Sequence, residues 1–140
     1  MTYLYLDTNI FIYLSDKKSP FYKKCTSLIN YCQKNNILIA TSTETVQEII
    51  HYAKNTRQLS SGLIVAKSTL ALVNEMYPIT KNTIDIYLKK VESYHKVKSR
   101  DLVHLSVCLE NKLNTIVTYD KEFRIFKEVK SLRPEDIFSN

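Results

Sequence analysis

The chain has 140 residues, 44% of them hydrophobic and 24% charged. That balance excludes a disordered or fibrous chain and leaves enough apolar material for a core. Lysine and arginine number 20 against 14 acids, a formal charge of +6, which suits a polyanionic partner such as nucleic acid and equally suits plain solubility.

The three cysteines form no C-x-x-C pair, so neither a disulfide framework nor a cysteine zinc site is expected. Cys25, Cys32 and Cys108 fall at apolar helical positions and read as small core residues in a reducing compartment. No run reaches membrane-spanning length, and Asp7 and Asn9 interrupt the N-terminal apolar stretch that a secretory leader would need. The expectation is one cytoplasmic domain over residues 1–140, with no membrane contact.

The stretch Thr2-Tyr-Leu-Tyr-Leu6 is apolar and rich in aromatics, as in a strand buried on both faces at the centre of a parallel sheet. It stops at Asp7, and a helix-like run, Ile10 to Leu14, follows. In open α/β sheets the ligand crevice lies beyond the carboxyl ends of such strands. Asp7 therefore stands where a reactive group belongs, although it could simply cap the next helix.

Ser19-Pro20 reads as a helix start, serine capping and proline in the first turn, with Phe21, Cys25, Leu28, Ile29 and Cys32 at helical spacing up to Asn35-Asn36. Residues 37–40 form a second short strand. Thr41-Ser-Thr-Glu44 has the form of a capping box, which would make Glu44 a capping acid. It opens a helix burying Val46, Ile49, Ile50 and Ala53. Glu48 lies about 200° round that helix from Val46, away from the buried stripe.

Residues 57–62, with the only glycine, read as a loop. The helix predicted over 63–75 is apolar nearly all round, so it is either central to the domain or covered by a partner, and in so small a chain a partner is the preferred reading. Residues 77–79 are extended, and Thr80 caps a helix carrying Ile84, Tyr87, Leu88 and Val91. A basic stretch ending in Lys96, Lys98 and Arg100 leads into Asp101 at the start of another helix. Residues 115–118 form a buried strand followed by Tyr119-Asp120, and an edge strand over 129–132 precedes a polar end. Strands alternating with helices predict a parallel sheet with helices on both faces.

On that scaffold Asp7 and Asp120 follow strands, while Glu48 and Asp101 sit near helix N-termini, so all four fall on one edge. Each has a bland reading by itself, as a cap or a first-turn acid. Together they would repel one another and raise their pKa values. A hard divalent cation with oxygen ligands, Mg²⁺ or Mn²⁺, makes such a cluster sensible. It would also activate water for attack on a phosphodiester, leaving a 3′-hydroxyl and a 5′-phosphate.

Four segments in order carry a resemblance: L-D-T-N at Leu6 to Asn9, S-T-E-T-V-Q-E-I-I around Glu48, S-R-D-L-V-H-L at Ser99 to Leu105, and V-T-Y-D-K-E-F at Val117 to Phe123. Over nearly the whole chain they resemble the PIN domain, and within it the VapC-like toxins of toxin–antitoxin pairs. The resemblance implies a PIN-like α/β three-layer fold with a five-stranded parallel sheet, metal-dependent endoribonuclease activity, a homodimer and an antitoxin partner. By motif, Asp7, Glu48, Asp101 and Asp120 match the family's acids, with Asp7, Asp101 and Asp120 as metal ligands; Asn9 and Thr118 match its supporting polar positions. Lys96, Lys98 and Arg100 are candidate RNA-phosphate contacts.

His104 and Ser106 stand where the family usually has small alanines. His104 and His51 are expected to be packed, or to stand behind the site, and His95 to face solvent. Two competing readings remain: a non-catalytic RNA-binding or adaptor module of the same fold, and a phosphohydrolase of small molecules. The second is disfavoured by the basic stretch and by the lack of a glycine-rich phosphate loop.

Overall fold

The computed structural model describes residues 2–139. Five strands, β1 (Tyr3–Leu6), β2 (Leu38–Ser42), β3 (Glu75–Tyr77), β4 (Thr115–Val117) and β5 (Lys130–Leu132), form one sheet in the order β3-β2-β1-β4-β5, parallel throughout. Seven α-helices connect and follow them: α1 (Thr8–Leu14), α2 (Tyr22–Lys34), α3 (Thr43–Asn55), α4 (Leu59–Leu72), α5 (Lys81–Ser93), α6 (Ser99–Glu110) and α7 (Pro134–Phe138). A 3-10 turn spans Lys121–Ile125. This is the expected three-layer α/β arrangement.

The inner strands β1, β2 and β4 are buried on both faces, their successive side chains pointing to opposite sides of the sheet. Leu4, Leu6, Ile39 and Val117 join Ile10, Leu28, Cys32 and Ile49 in one core layer. Tyr5, Ala40 and Ile116 join Leu102, Leu105, Cys108 and Phe123 in the other. All three cysteines are free and buried, as their positions suggested.

The order of the sheet fixes the site. From the central β1 the chain builds outward through β2 and β3, then returns to the other side of β1 for β4 and β5. A crevice opens at such a reversal, beyond the carboxyl ends of the two strands that flank it. Asp7 leaves β1 there and donates its backbone N–H to Val117 of β4 at 3.0 Å. Thr118 and Asp120 leave β4 beside it.

Several boundaries differ from the sequence reading. Helix α2 starts at Tyr22, not at Ser19-Pro20, because the Ser19 hydroxyl accepts from Phe21 N and closes a turn first. The Thr41–Glu44 capping box does not form. Thr41 is still in β2, and its hydroxyl serves Leu6 O at 2.9 Å and Thr45 at 2.7 Å.

Residues 59–62 are helical, with the turn confined to the segment around Arg57, which takes φ 56°. Gly62 is buried within α4, where a Cβ would lie 2.2 Å from that of Ala53. The glycine lets α4 approach α3, and has nothing to do with a loop.

Helix α4 ends at Leu72, short of Glu75, and β3 begins two residues before the predicted strand. Asn74 explains both: its N–H and side-chain oxygen each bond Ile39 at 2.8 Å and pull the chain alongside β2. The polar end is also ordered, as α7, which starts with Pro134 and packs Ile137 and Phe138 on the core.

Candidate active site

A cavity of about 650 Å³ opens at the β1/β4 crevice, lined by Asp7, Asn9, Glu48, Asp101 and Asp120 together with Thr8, His51, Tyr52, Asn55, Lys98 and Arg100. All four predicted acids are thus brought to one place.

Asp7 is buried. Its Oδ1 accepts from Thr8 N at 2.8 Å, so it does cap α1, and its Oδ2 accepts from the Thr118 hydroxyl at 2.7 Å. The capping reading and the reactive-group reading are therefore compatible. Thr118 is a hub: its oxygen also accepts from Asn9 Nδ2 at 3.1 Å and from Asp120 N at 2.9 Å. One hydroxyl fixes three of the predicted site residues relative to each other. Asp120 itself caps the 3-10 turn through Glu122 N at 2.9 Å.

Glu48 reaches the crevice from the second turn of α3. Its Oε1 accepts from the Thr8 hydroxyl at 2.8 Å and is hydrogen-bonded to His104 Nε2. His104, on α6, has no exposed surface. Its Nε2 also lies 3.5 Å from Asp7 Oδ1, and its Nδ1 lies 2.5 Å from the Tyr5 hydroxyl, which bonds Ser42 Oγ at 2.8 Å. His104 therefore stands behind the acids rather than in the cavity wall, as expected. His51 is the correction: it is exposed, lines the cavity and pairs with Asn55 at 3.1 Å.

The electrostatics follow from burial and crowding. Burial pushes the Asp101 carboxyl up, and the charges of Asp7 and Asp120 add to it, placing it at about 7. Burial likewise raises Asp7, against the opposing pull of His104 and its hydrogen bonds. Burial alone would lower His104, but the Glu48 hydrogen bond and the charges of Asp7, Glu48 and Glu44 outweigh it and hold the imidazole up at about 9. For Glu48 burial works upward, yet the His104 and Thr8 bonds win and hold it below its ordinary value.

Two buried oxygens, Asp101 Oδ2 and Asn9 Oδ1, have no hydrogen-bond partner. An unsatisfied buried acceptor is costly, and a cation is one way to satisfy it. The oxygen donors here suit a hard divalent ion. Possible ligand atoms group as Asp101, Asp120 and Glu122 on one side and Asp7, Glu48 and His104 on the other, each set within 4.8 Å. Glu122 was not singled out from the sequence, where it reads as an ordinary first-turn acid.

The basic run divides. Lys98 and Arg100 line the cavity, in loose ion pairs with Glu122 and Glu44, both at 3.7 Å. Lys96 is exposed and not part of the lining. Glu44, expected as a capping acid, instead lies half-buried beside Arg100, and burial with the nearby Glu48 charge raises its pKa. Thr8 and Tyr5 were missed: Thr8 stands in the sequence only as part of L-D-T-N, and Tyr5 only as part of an apolar strand.

A PIN domain family model matches residues 4–129. The chain belongs to the PIN domain family. Among curated relatives, Ribonuclease VapC13 of Mycobacterium tuberculosis is 20% identical over 127 residues, covering 91% of this chain and 97% of that protein. Ribonuclease VapC23 of the same organism is 24% identical over 119 residues, covering 84% and 92%. The fold is shared with DNA-bound VapBC from Salmonella typhimurium, with a TM-score of 0.75 at 15% identity over 96% of this PIN chain and 99% of the other. It is also shared with M. tuberculosis VapC20, a toxin that cleaves the sarcin–ricin loop, with a TM-score of 0.73 at 14% identity over 91% and 98%.

Proposed function

We propose that this PIN domain is a Mg²⁺- or Mn²⁺-dependent endoribonuclease and the toxin of a toxin–antitoxin pair. The observation that carries the reading is the unpartnered, buried Asp101 Oδ2 in a cavity shared with Asp7, Glu48 and Asp120. A non-catalytic adaptor has no use for a buried carboxyl oxygen that nothing in the protein satisfies. The ribonuclease names of the curated relatives support the same reading, as do the toxin–antitoxin complexes among the structural neighbours.

Asp7, Asp101 and Asp120 would hold the cation, with the Thr118 hydroxyl fixing Asp7 and the turn at Asp120. The bound ion supplies an activated water and charge stabilisation at the phosphate. Glu48, ionised and tethered by Thr8 and His104, would orient that water. Lys98 and Arg100 at the rim would exchange their loose carboxylate partners for backbone phosphates of RNA, adding affinity without sequence preference. Lys96 would contribute only at longer range.

The exposed apolar side chains of α4, with Ile64 at 67% and Leu70 at 54%, would be covered by a second copy or by the antitoxin. No helix among the described residues is long and apolar enough to cross a membrane.

The test is cleavage of a structured RNA in Mn²⁺ and in chelator, beside a mononucleotide phosphate. Mn²⁺-dependent scission of the RNA alone, leaving 5′-phosphate ends, is expected, and no scission by Asp101→Asn. Products bearing 2′,3′-cyclic phosphate, or cleavage in chelator, would refute the reading.

A further inference from the structure

Hydrogen-bonding capacity in the cavity is divided unevenly. On the Asp101 side, Asp101 Oδ2 and Asn9 Oδ1 are buried and unpartnered. On the Glu48 side, Glu48 Oε1 and Asp7 Oδ1 are already served by the protein. Glu48 Oε1 takes both the Thr8 hydroxyl and His104 Nε2, and Asp7 Oδ1 takes Thr8 N with the same His104 nitrogen 3.5 Å away. An ionised carboxylate only accepts, so the nitrogen facing Glu48 carries a hydrogen. It has no lone pair to offer a metal.

The ring cannot easily turn away. It is wholly buried, packs edge-on against Tyr5 with centroids 5.6 Å apart, and is held at Nδ1 by the Tyr5 hydroxyl. That hydroxyl is anchored in turn by Ser42.

Paired-ion sites place two cations about 3.5–4 Å apart, typically across a shared carboxylate. Asp7, which belongs to the Glu48–His104 group and whose charge also acts on Asp101, is the residue that could be shared here. The second ion would have to lie between Asp7 and Glu48, where the Nε2–H of His104 already points.

We infer that His104 is a positioning residue that fills the gap between Asp7 and Glu48, ties Glu48 to the protein instead of to an ion, and so limits the cavity to one divalent cation, on its Asp101–Asp120 side. This rests on the proposed metal-dependent reading. It assigns His104 a place outside the ligand set, although a buried histidine beside two carboxylates resembles a ligand at first sight.

The test is Mn²⁺ binding to the full chain, counted by electron paramagnetic resonance and calorimetry. One ion per wild-type chain is expected. His104→Gln, whose amide can reproduce the Nε2–H, should keep one ion. His104→Asn keeps a polar group near Tyr5 but is too short to reach Glu48, so it should admit a second. In the His51→Ala background, which removes the exposed cavity imidazole, the bound Mn²⁺ should show no directly coordinated nitrogen.

Two ions on the wild type, a coordinated imidazole nitrogen in His51→Ala, or a single ion on folded His104→Asn would each overturn the inference while leaving the metal-dependent reading intact. No ion on the wild type would overturn both. If His104→Asn does not fold, the wild-type count and the nitrogen signal decide by themselves.

Discussion

The Thr118 hydroxyl donates to Asp7 Oδ2 at 2.7 Å while accepting from Asn9 and from the Asp120 backbone, so one side chain sets the geometry of β1 and β4 at their shared crevice. Thr118→Val keeps the shape and removes that hub. It leaves a buried carboxylate oxygen without its donor, a loss of about 1–3 kcal/mol. The expected result is a lower Tm and weaker Mn²⁺ binding, both restored by Thr118→Ser. Unchanged Mn²⁺ affinity in Thr118→Val would show that the hydroxyl does not organise the site.

Gly62 offers a test of packing remote from the chemistry. In an exposed helix, Gly→Ala is stabilising by about 1 kcal/mol. Here the new methyl would stand 2.2 Å from Ala53 Cβ, so overpacking should dominate and destabilise by about 1–3 kcal/mol. Denaturant unfolding reads the sign directly. A stabilised Gly62→Ala would mean that α3 and α4 pack less closely than described.

The outer face of α4 should behave as an interface. Val65 and Leu72, apolar and on the same helix, pack against the core, so the discriminating substitutions are Ile64→Lys and Leu70→Lys, both at exposed positions. The double mutant should keep its Tm as an isolated chain and lose self-association or antitoxin binding in sedimentation. Loss of fold would instead assign that face to the core.

The pH dependence without metal has a definite sign. Asp101, pushed up to about 7, keeps in the folded chain a proton that the unfolded chain releases near 3.8, so stability falls with rising pH across that window. His104, held at about 9 against 6.5, contributes stability that is fully present below 6.5 and lost as pH rises through 9. In chelator, Tm should decline from about pH 5 to about pH 9. With Mn²⁺ the lower part of the decline should shrink, because the ion takes the place of the Asp101 proton. A Tm that rises with pH in chelator would contradict these assignments.

The parallel sheet and the convergence of four acids were legible because they rest on local signals: short apolar runs that stop at a carboxylate, and helices whose first turns carry acids. What the sequence hid depends on contacts between distant segments. Gly62 resembles a loop glycine until Ala53 is beside it. Thr41 resembles a cap until β1 offers the Leu6 carbonyl. The Tyr5–His104–Glu48 chain joins three elements, and no spacing along the sequence reveals it. Notably, Asp7→Asn would disturb the cap on α1, the Thr118 bond and the His104 contact at once, which makes Asp101 the cleaner place to remove charge.

Whether the acids are a repulsive cluster built for a cation is decided by thermal melting of wild type and Asp101→Asn at about pH 8, in chelator and in Mn²⁺. At that pH the Asp101 charge is a burden on the metal-free fold. Asp101→Asn should therefore melt higher than wild type in chelator, by about 3–6 °C, the equivalent of ~1 kcal/mol in a chain of this size. Wild type should gain stability as Mn²⁺ is added, and Asp101→Asn should gain little. An Asp101→Asn chain that melts lower in chelator and gains as much from Mn²⁺ as wild type would instead make Asp101 a structural acid, with the cation bound elsewhere.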